Sequence, residues 1–160
     1  MAVDMFLSLK GIKGESKDQS HKEWIDVLAW SWGMSQGGTF HRGGGGGAGK
    51  VDVQDLSVTG WYEKSTPLLM DKCATGGHIT EGELIVRKAG GKQVAYIRYK
   101  FTDILVTFVS TGGSGGEEQL TVNFGLNFAK VSTEYYEQKP DGSVGPAIPF
   151  GYDMRENVKV

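Results

Sequence analysis

Residues 120–128 alternate without interruption. Leu120, Val122, Phe124, Leu126 and Phe128 hold the even positions, and Thr121, Asn123, Gly125 and Asn127 lie between them. Successive strand side chains point to opposite faces, so one face is apolar and the other is small or polar. Upstream, residues 104–109 are apolar on both faces, and that strand is expected to be buried on both sides or covered by another subunit. The run Ser110-Thr111-Gly112-Gly113-Ser114-Gly115-Gly116-Glu117-Glu118 between them offers no core side chain and reads as a turn in solvent. Residues 101–131 are therefore read as a hairpin, and a chain built around it is β-rich.

The remaining segments fit that frame. Residues 3–10 read as a strand with Met5, Leu7 and Leu9 on one face. Residues 24–32 read as another, with Trp24, Leu28, Trp30 and Trp32 beside Asp26 on one face and Ile25, Val27, Ala29 and Ser31 on the other. Apolar groups on both faces mark a central or interface strand. A loop over residues 37–50 holds eight glycines, and residues 51–62 read as a third strand. Loops of this length tend to be functional or disordered, and this one is expected to project. The spacing predicts one helix, over residues 66–75, with Ser65 or Thr66 as N-cap, Pro67 at the first helical position and Gly76 past the end. Residues 78–88 and 93–101 form a predicted hairpin across Ala89-Gly90-Gly91-Lys92. The strand after the central turn extends toward Tyr136. Residues 138–160, with Pro140, Pro146 and Pro149, are expected to be irregular apart from one short strand near residues 150–154. The fold class is mainly β: a β-barrel or two packed sheets with one flanking α-helix, in a single domain over residues 1–160.

Composition narrows the function classes. Lys plus Arg number 17 and Asp plus Glu 19, for a net charge of −2, which argues against a nucleic-acid binder. The single cysteine, Cys73, gives no disulfide framework and suits a reducing cytoplasm. No run of 18 apolar residues is present, so no membrane insertion is expected. The N-terminal residues lack the basic-then-apolar pattern of a secretory leader, so any export is expected to proceed without a cleaved signal peptide.

Two motifs look chemical. Gly44 to Lys50 satisfies both G-x-G-x-x-G and G-x-x-x-x-G-K, but Val51 stands where a phosphate loop needs Ser or Thr, and a strand follows instead of a helix. Gly112 to Gly116 satisfies G-x-S-x-G, but no histidine lies downstream of Ser114 to act as base. His21, His41 and His78 have no metal-binding spacing. Neither catalytic residues, a cofactor nor a metal site are expected.

Longer matches carry more. Met1-Ala2-Val3-Asp4-Met5-Phe6, residues 11–18 and 25–36, Lys64-Ser65-Thr66-Pro67, residues 86–90 and 109–114, and Leu126-Asn127-Phe128-Ala129-Lys130-Val131 together resemble the Hcp family, the hemolysin-coregulated proteins of bacterial type VI secretion systems. The resemblance covers essentially the whole chain, with departures around Gly60-Trp61-Tyr62 and Gly151-Tyr152. It implies a barrel subunit of homohexameric rings that stack into an inner tube, move with sheath and spike proteins, and are themselves exported. It also implies binding of effector proteins in the ring lumen, and a fold like that of phage tail-tube proteins. On that reading Trp24, Trp30, Leu105 and Val109 are candidates for the subunit interface. Gly43, Gly44, Gly45, Gly46, Gly47 and Lys50 are candidates for a ring-stacking loop. Ser31, opposite the Trp30 face, is a candidate lumen residue. The alternatives are a monomeric barrel that binds a ligand among its aromatic side chains, or a phage tail-tube-like protein.

Overall fold

The computed structural model describes residues 2–43, 47, 49–89 and 93–160. The strands are β1 (Val3–Leu9), β2 (Ile25–Ser31), β3 (Met34–Ser35), β4 (Asp52–Val53), β5 (Leu56–Trp61), β6 (His78–Lys88), β7 (Ala95–Thr111), β8 (Thr121–Gln138), β9 (Val144–Asp153) and β10 (Val158–Lys159), with helix α1 (Ser65–Thr75) between β5 and β6. The order β8-β5-β2-β1-β6-β7 closes where β7 pairs back onto β8, making a six-stranded barrel. β9 and β10 extend the sheet beyond β8, and β3 and β4 form a separate two-stranded ribbon.

The central hairpin is longer than its sequence pattern implies. Residues 93–101 and 104–109, expected as separate strands, belong to the single 17-residue β7. Asp103, at φ 54°, takes up the irregularity between them, a conformation short polar side chains tolerate. β8 pairs with β5 through residues 121–126 and with β9 through residues 130–138. One strand therefore serves both the barrel and its extension. Val122, Phe124, Leu126 and Phe128 are buried, as the alternation requires, and meet Phe101, Ile104 and Val106 of β7 in the core. The Phe101 and Phe128 rings lie 4.6 Å apart.

β2 departs from simple alternation. Its register against β5 shifts between Val27 and Ala29, leaving Leu28 as the extra residue of a bulge. Ile25 and Val27 point inward before the bulge, and Trp30 packs inward after it, in edge contact with Tyr99 at 5.2 Å. Trp24 and Trp30, expected on one face, are thus on different sides of the sheet.

The helix starts at Ser65, one residue early, and Lys64 occupies the cap position without a side-chain cap. Pro67 is therefore third in the helix. Gly76 ends it at φ 69°, the left-handed conformation glycine adopts without cost. The expected third strand is divided into β4 and β5. The C-terminal region is more regular than expected. β9 runs for ten residues despite Pro146 and Pro149, because residues 144–150, ahead of the part paired with β10, form a sheet edge where a missing N–H costs no ladder bond on the open side. The turn residues Gly90, Gly91 and Lys92 lie outside the described residues.

Residues 11–24 cross the outer face of β1 and β6. The Arg87 guanidinium, 5% exposed, donates to Asp18 (3.0 Å) and to Asp4 (3.3 and 3.4 Å), and sits 4.9 Å from the Phe6 ring. His21 stacks on Phe6 at 4.5 Å. Two backbone N–H groups exchange carboxylates across the segment: Glu15 donates to Glu63 (2.9 Å) and Lys64 donates to Glu15 (2.8 Å). The bond from Arg87 holds the Asp18 carboxyl well below the usual carboxylate range. Burial pushes Asp26 and Glu63 upward.

Two tests follow from this packing. A Cβ on Gly14 would meet the Trp24 carbonyl, with Glu63 Oε1 and the Ile25 Cα both at 2.8 Å. Backbone cannot swing aside as a side chain can, so Gly14→Ala is expected to cost about 1–3 kcal/mol in urea unfolding. A wild-type midpoint would refute the packing. Asp18 has a folded pKa below its unfolded value, so its stabilising effect is present above the ordinary range near ~4 and fades as pH falls below it. Asp18→Asn is therefore expected to lose stability at pH 7, and its deficit against wild type to shrink steadily from about pH 4 downward. A deficit that is constant with pH would contradict the Arg87 pairing.

Candidate functional site

Across β2, β5, β8 and β7 the outward side chains fall into two registered rows. One is Ala29, Thr59, Asn123 and Ser110; the other is Ser31, Ser57, Gly125 and Phe108. Directly opposed residues of an antiparallel pair share a face, so these eight line one surface. The β2 bulge places Ser31 there: with Trp30 turned inward, its neighbours Ala29 and Ser31 are exposed on the face opposite buried Val27. Ala29, Ser31, Asn123, Ser110 and Phe108 are exposed, and Ser57 and Thr59 half-buried.

No residue of the two rows is charged. The Thr59 hydroxyl donates to the Asn123 side-chain carbonyl at 2.6 Å. A neighbouring row carries Asn127, whose amide donates to Asp55 at 2.8 Å. Phe108 is the one large apolar group. The register against β8 shifts between Val106 and Phe108, and the Phe108 ring lies over Gly125, where a Cβ would collide with it. Together with Ala29, Trp30 and Val58, these residues border a shallow depression. The surface offers hydroxyls, amides and one ring. Its hydroxyl and amide groups can donate and accept hydrogen bonds, and the two rows hold no nucleophile–base pair.

The other sequence candidates are dispersed. Trp24 is half-buried in edge contact with His21 at 4.7 Å. Trp30 and Val109 pack against the core, while Leu105, half-buried, faces outward beside Asn127 and His78. Gly43, Gly47 and Lys50 are exposed in the projecting loop, and Gly44, Gly45 and Gly46 lie outside the described residues. The loop is tied at its base by β3 and β4 and across by Thr39, whose hydroxyl donates to the Gly47 carbonyl (2.7 Å) and accepts its N–H (3.0 Å). Phe40 stands 83% exposed within it. Among the described residues, no group of three His, Cys, Asp or Glu side chains is placed to hold a metal. Ser114 sits in an exposed turn.

Phe108 escaped sequence reasoning. In simple alternation it shares the inward phase of Ile104 and Val106, and only the bulge at Thr107 turns it out. Gly125 opposite was the available signal, since glycine within a strand marks a bulge or a close approach.

The model of the family described as "Type VI secretion system effector, Hcp" matches residues 6–135. Protein hcp1 of Pseudomonas aeruginosa is 56% identical over 161 residues, covering 99% of each chain. Among solved structures, Hcp1 from Salmonella typhimurium is 35% identical with a TM-score of 0.83 and full coverage of both chains. A structure described as a type six secretion system protein reaches a TM-score of 0.94 at 30% identity, covering 99% of this chain and 100% of that one. With a family match over most of the chain and a relative more than half identical from end to end, this barrel belongs to the Hcp family of type VI secretion proteins.

Proposed function

We propose that this chain is a subunit of the secretion tube, closing side by side into a hexameric ring whose hollow carries effector proteins. The carrying observation is the uncharged face around Ser31. Among the described residues Ala29, Ser31, Phe108, Ser110 and Asn123 stand exposed on it, whereas the outer face of β1 and β6 is covered by residues 11–24. Small side chains leave room for a guest. The hydroxyl and amide groups give it adaptable hydrogen bonds, and Phe108 gives it an apolar grip.

The interior of the barrel is no alternative site. Phe101, Phe124, Leu126 and Phe128 fill it, which argues against a monomer that holds a ligand among its aromatics. On the proposed reading the loop over residues 37–50 reaches a neighbouring ring, with Phe40, Gly43, Gly47 and Lys50 at the contact. Ordering so many glycines carries a large entropic cost, which keeps that contact weak and reversible. The remaining partners are effectors and the sheath and spike of the same machine, with which the subunit is exported. The hollow, not a reactive side chain, does the work.

Native mass spectrometry and negative-stain images of the purified protein are expected to show a hexamer with a central hole; a monodisperse monomer at micromolar concentration would overturn the proposal. Ser31→Gln is expected to leave the ring intact and to weaken effector capture about fivefold or more, since it fills the depression beside Ser57. Undiminished capture would remove this face as the guest site.

A further inference from the structure

A second surface, on the outside of one barrel end, is rimmed by lysine. Lys10, Lys13, Lys22 and Lys64 line a groove together with half-buried Trp24 and exposed Pro67 and Leu68. One carboxylate shares the rim: Glu23, paired with Lys13 at 3.2 Å. Lys10 reaches Glu81 at 3.9 Å. Among the described residues, Lys22 and Lys64 have no ion-pair partner. A net positive groove that also presents apolar side chains calls for an acidic segment with some apolar character.

The chain itself carries such a segment. Glu117 and Glu118 are exposed in the β7–β8 turn, likewise without ion-pair partners among the described residues, and Leu120 beside them is 38% exposed. Glycines at 112, 113, 115 and 116 give the turn freedom to adapt.

Strand order and register fix where the two lie. Leu7 pairs with Ile25, Val27 with Gly60, and Trp61 with Thr121, while the Tyr62 N–H donates to the Leu120 carbonyl at 2.8 Å. The end of β1, the start of β2, the end of β5 and the start of β8 therefore share one end of the barrel. Around its circumference, the β7–β8 junction lies across from the β1–β2 junction, with β5 and β2 on one path and β6 and β1 on the other. The turn and the β1–β2 wall of the groove thus lie across one end of the barrel from each other, and Lys64, two residues beyond Tyr62, stands between them.

We infer that the Glu117–Glu118 turn of one copy seats in the lysine-rimmed groove of the next and forms a lateral contact of the ring. The inference rests on the ring reading above. Two unlike patches of one subunit, each meeting its complement on a neighbour, make a heterologous contact, the kind that closes into rings. Exposed ion pairs add little affinity one by one. In this contact the lysines and glutamates set register and steer approach, while Trp24 and Leu68 supply apolar area.

The test is a charge exchange read by native mass spectrometry across a dilution series. Lys22→Glu with Lys64→Glu, and separately Glu117→Lys with Glu118→Lys, are each expected to raise the concentration at which rings half-dissociate by about tenfold or more. The four changes together are expected to restore it to within about threefold of wild type. All four positions are exposed, and unchanged thermal melts confirm that the variants fold. A carbodiimide cross-link joining a Lys22 or Lys64 peptide to a Glu117 or Glu118 peptide between light and heavy isotope-labelled subunits checks the contact without mutation. Rings indifferent to either reversal, or weakened rings that the combination fails to rescue, overturn the inference and leave the ring standing. Loss of effector capture with intact rings also overturns it, because the groove then belongs to cargo. A wild-type protein that never forms rings overturns the underlying reading as well.

Discussion

Pairing of β7 with β8 is the constraint on which the rest of the molecule depends. It runs from Ile97 opposite Tyr135 to Thr111 opposite Val122, and it turns an open sheet into a barrel. Closure removes two long strand edges that would otherwise offer unpaired backbone to other chains. It also fixes which side of each strand is wet. A slip of one residue would expose Phe124, Leu126 and Phe128 and bury Asn123 and Asn127, exchanging a core for a row of unsatisfied amides. The apolar face of β8 therefore enforces the register that creates the polar face opposite.

The outside of the barrel is treated in two ways. Over β1 and β6, Phe6 and Ile85 are covered, and the cover is held by a buried cation. Arg87 is desolvated at a cost that only its carboxylate partners offset, so Asp18 and Asp4 are needed where they stand. Around Ser31, Ala29, Ser110 and Asn123 are exposed among the described residues, and the two rows they belong to are uncharged, with Phe108 the one large side chain. The contrast between a strapped face and a bare one gives the subunit a direction, which a ring with an inside and an outside requires.

Much of this was legible in the sequence because alternation reports burial directly. The face pattern of residues 120–128, the limits of β6, the left-handed glycine after α1 and the small-polar row of β8 were all readable from residue type and spacing. What escaped was set by irregularities that carry no strong local signal. The bulge at Leu28 parted Trp24 from Trp30, and the one at Thr107 turned Phe108 outward. Asp103 joined two expected strands into one, and an edge position excused two prolines. The pairing of Arg87 with Asp18 spans 69 residues, a separation no local pattern reveals. Family membership was legible from long ordered matches, whereas the position of Ser31 on an uncovered face became visible only through cross-strand register.

The most direct measurement is a structure of the assembled protein that shows which surface of each subunit borders the hole. The account predicts that Ser31, Ser57, Asn123 and Phe108 of every copy line it, with the strapped face of β1 and β6 turned away. An assembly in which that row is buried between subunits, or faces the outside of the ring, would contradict it.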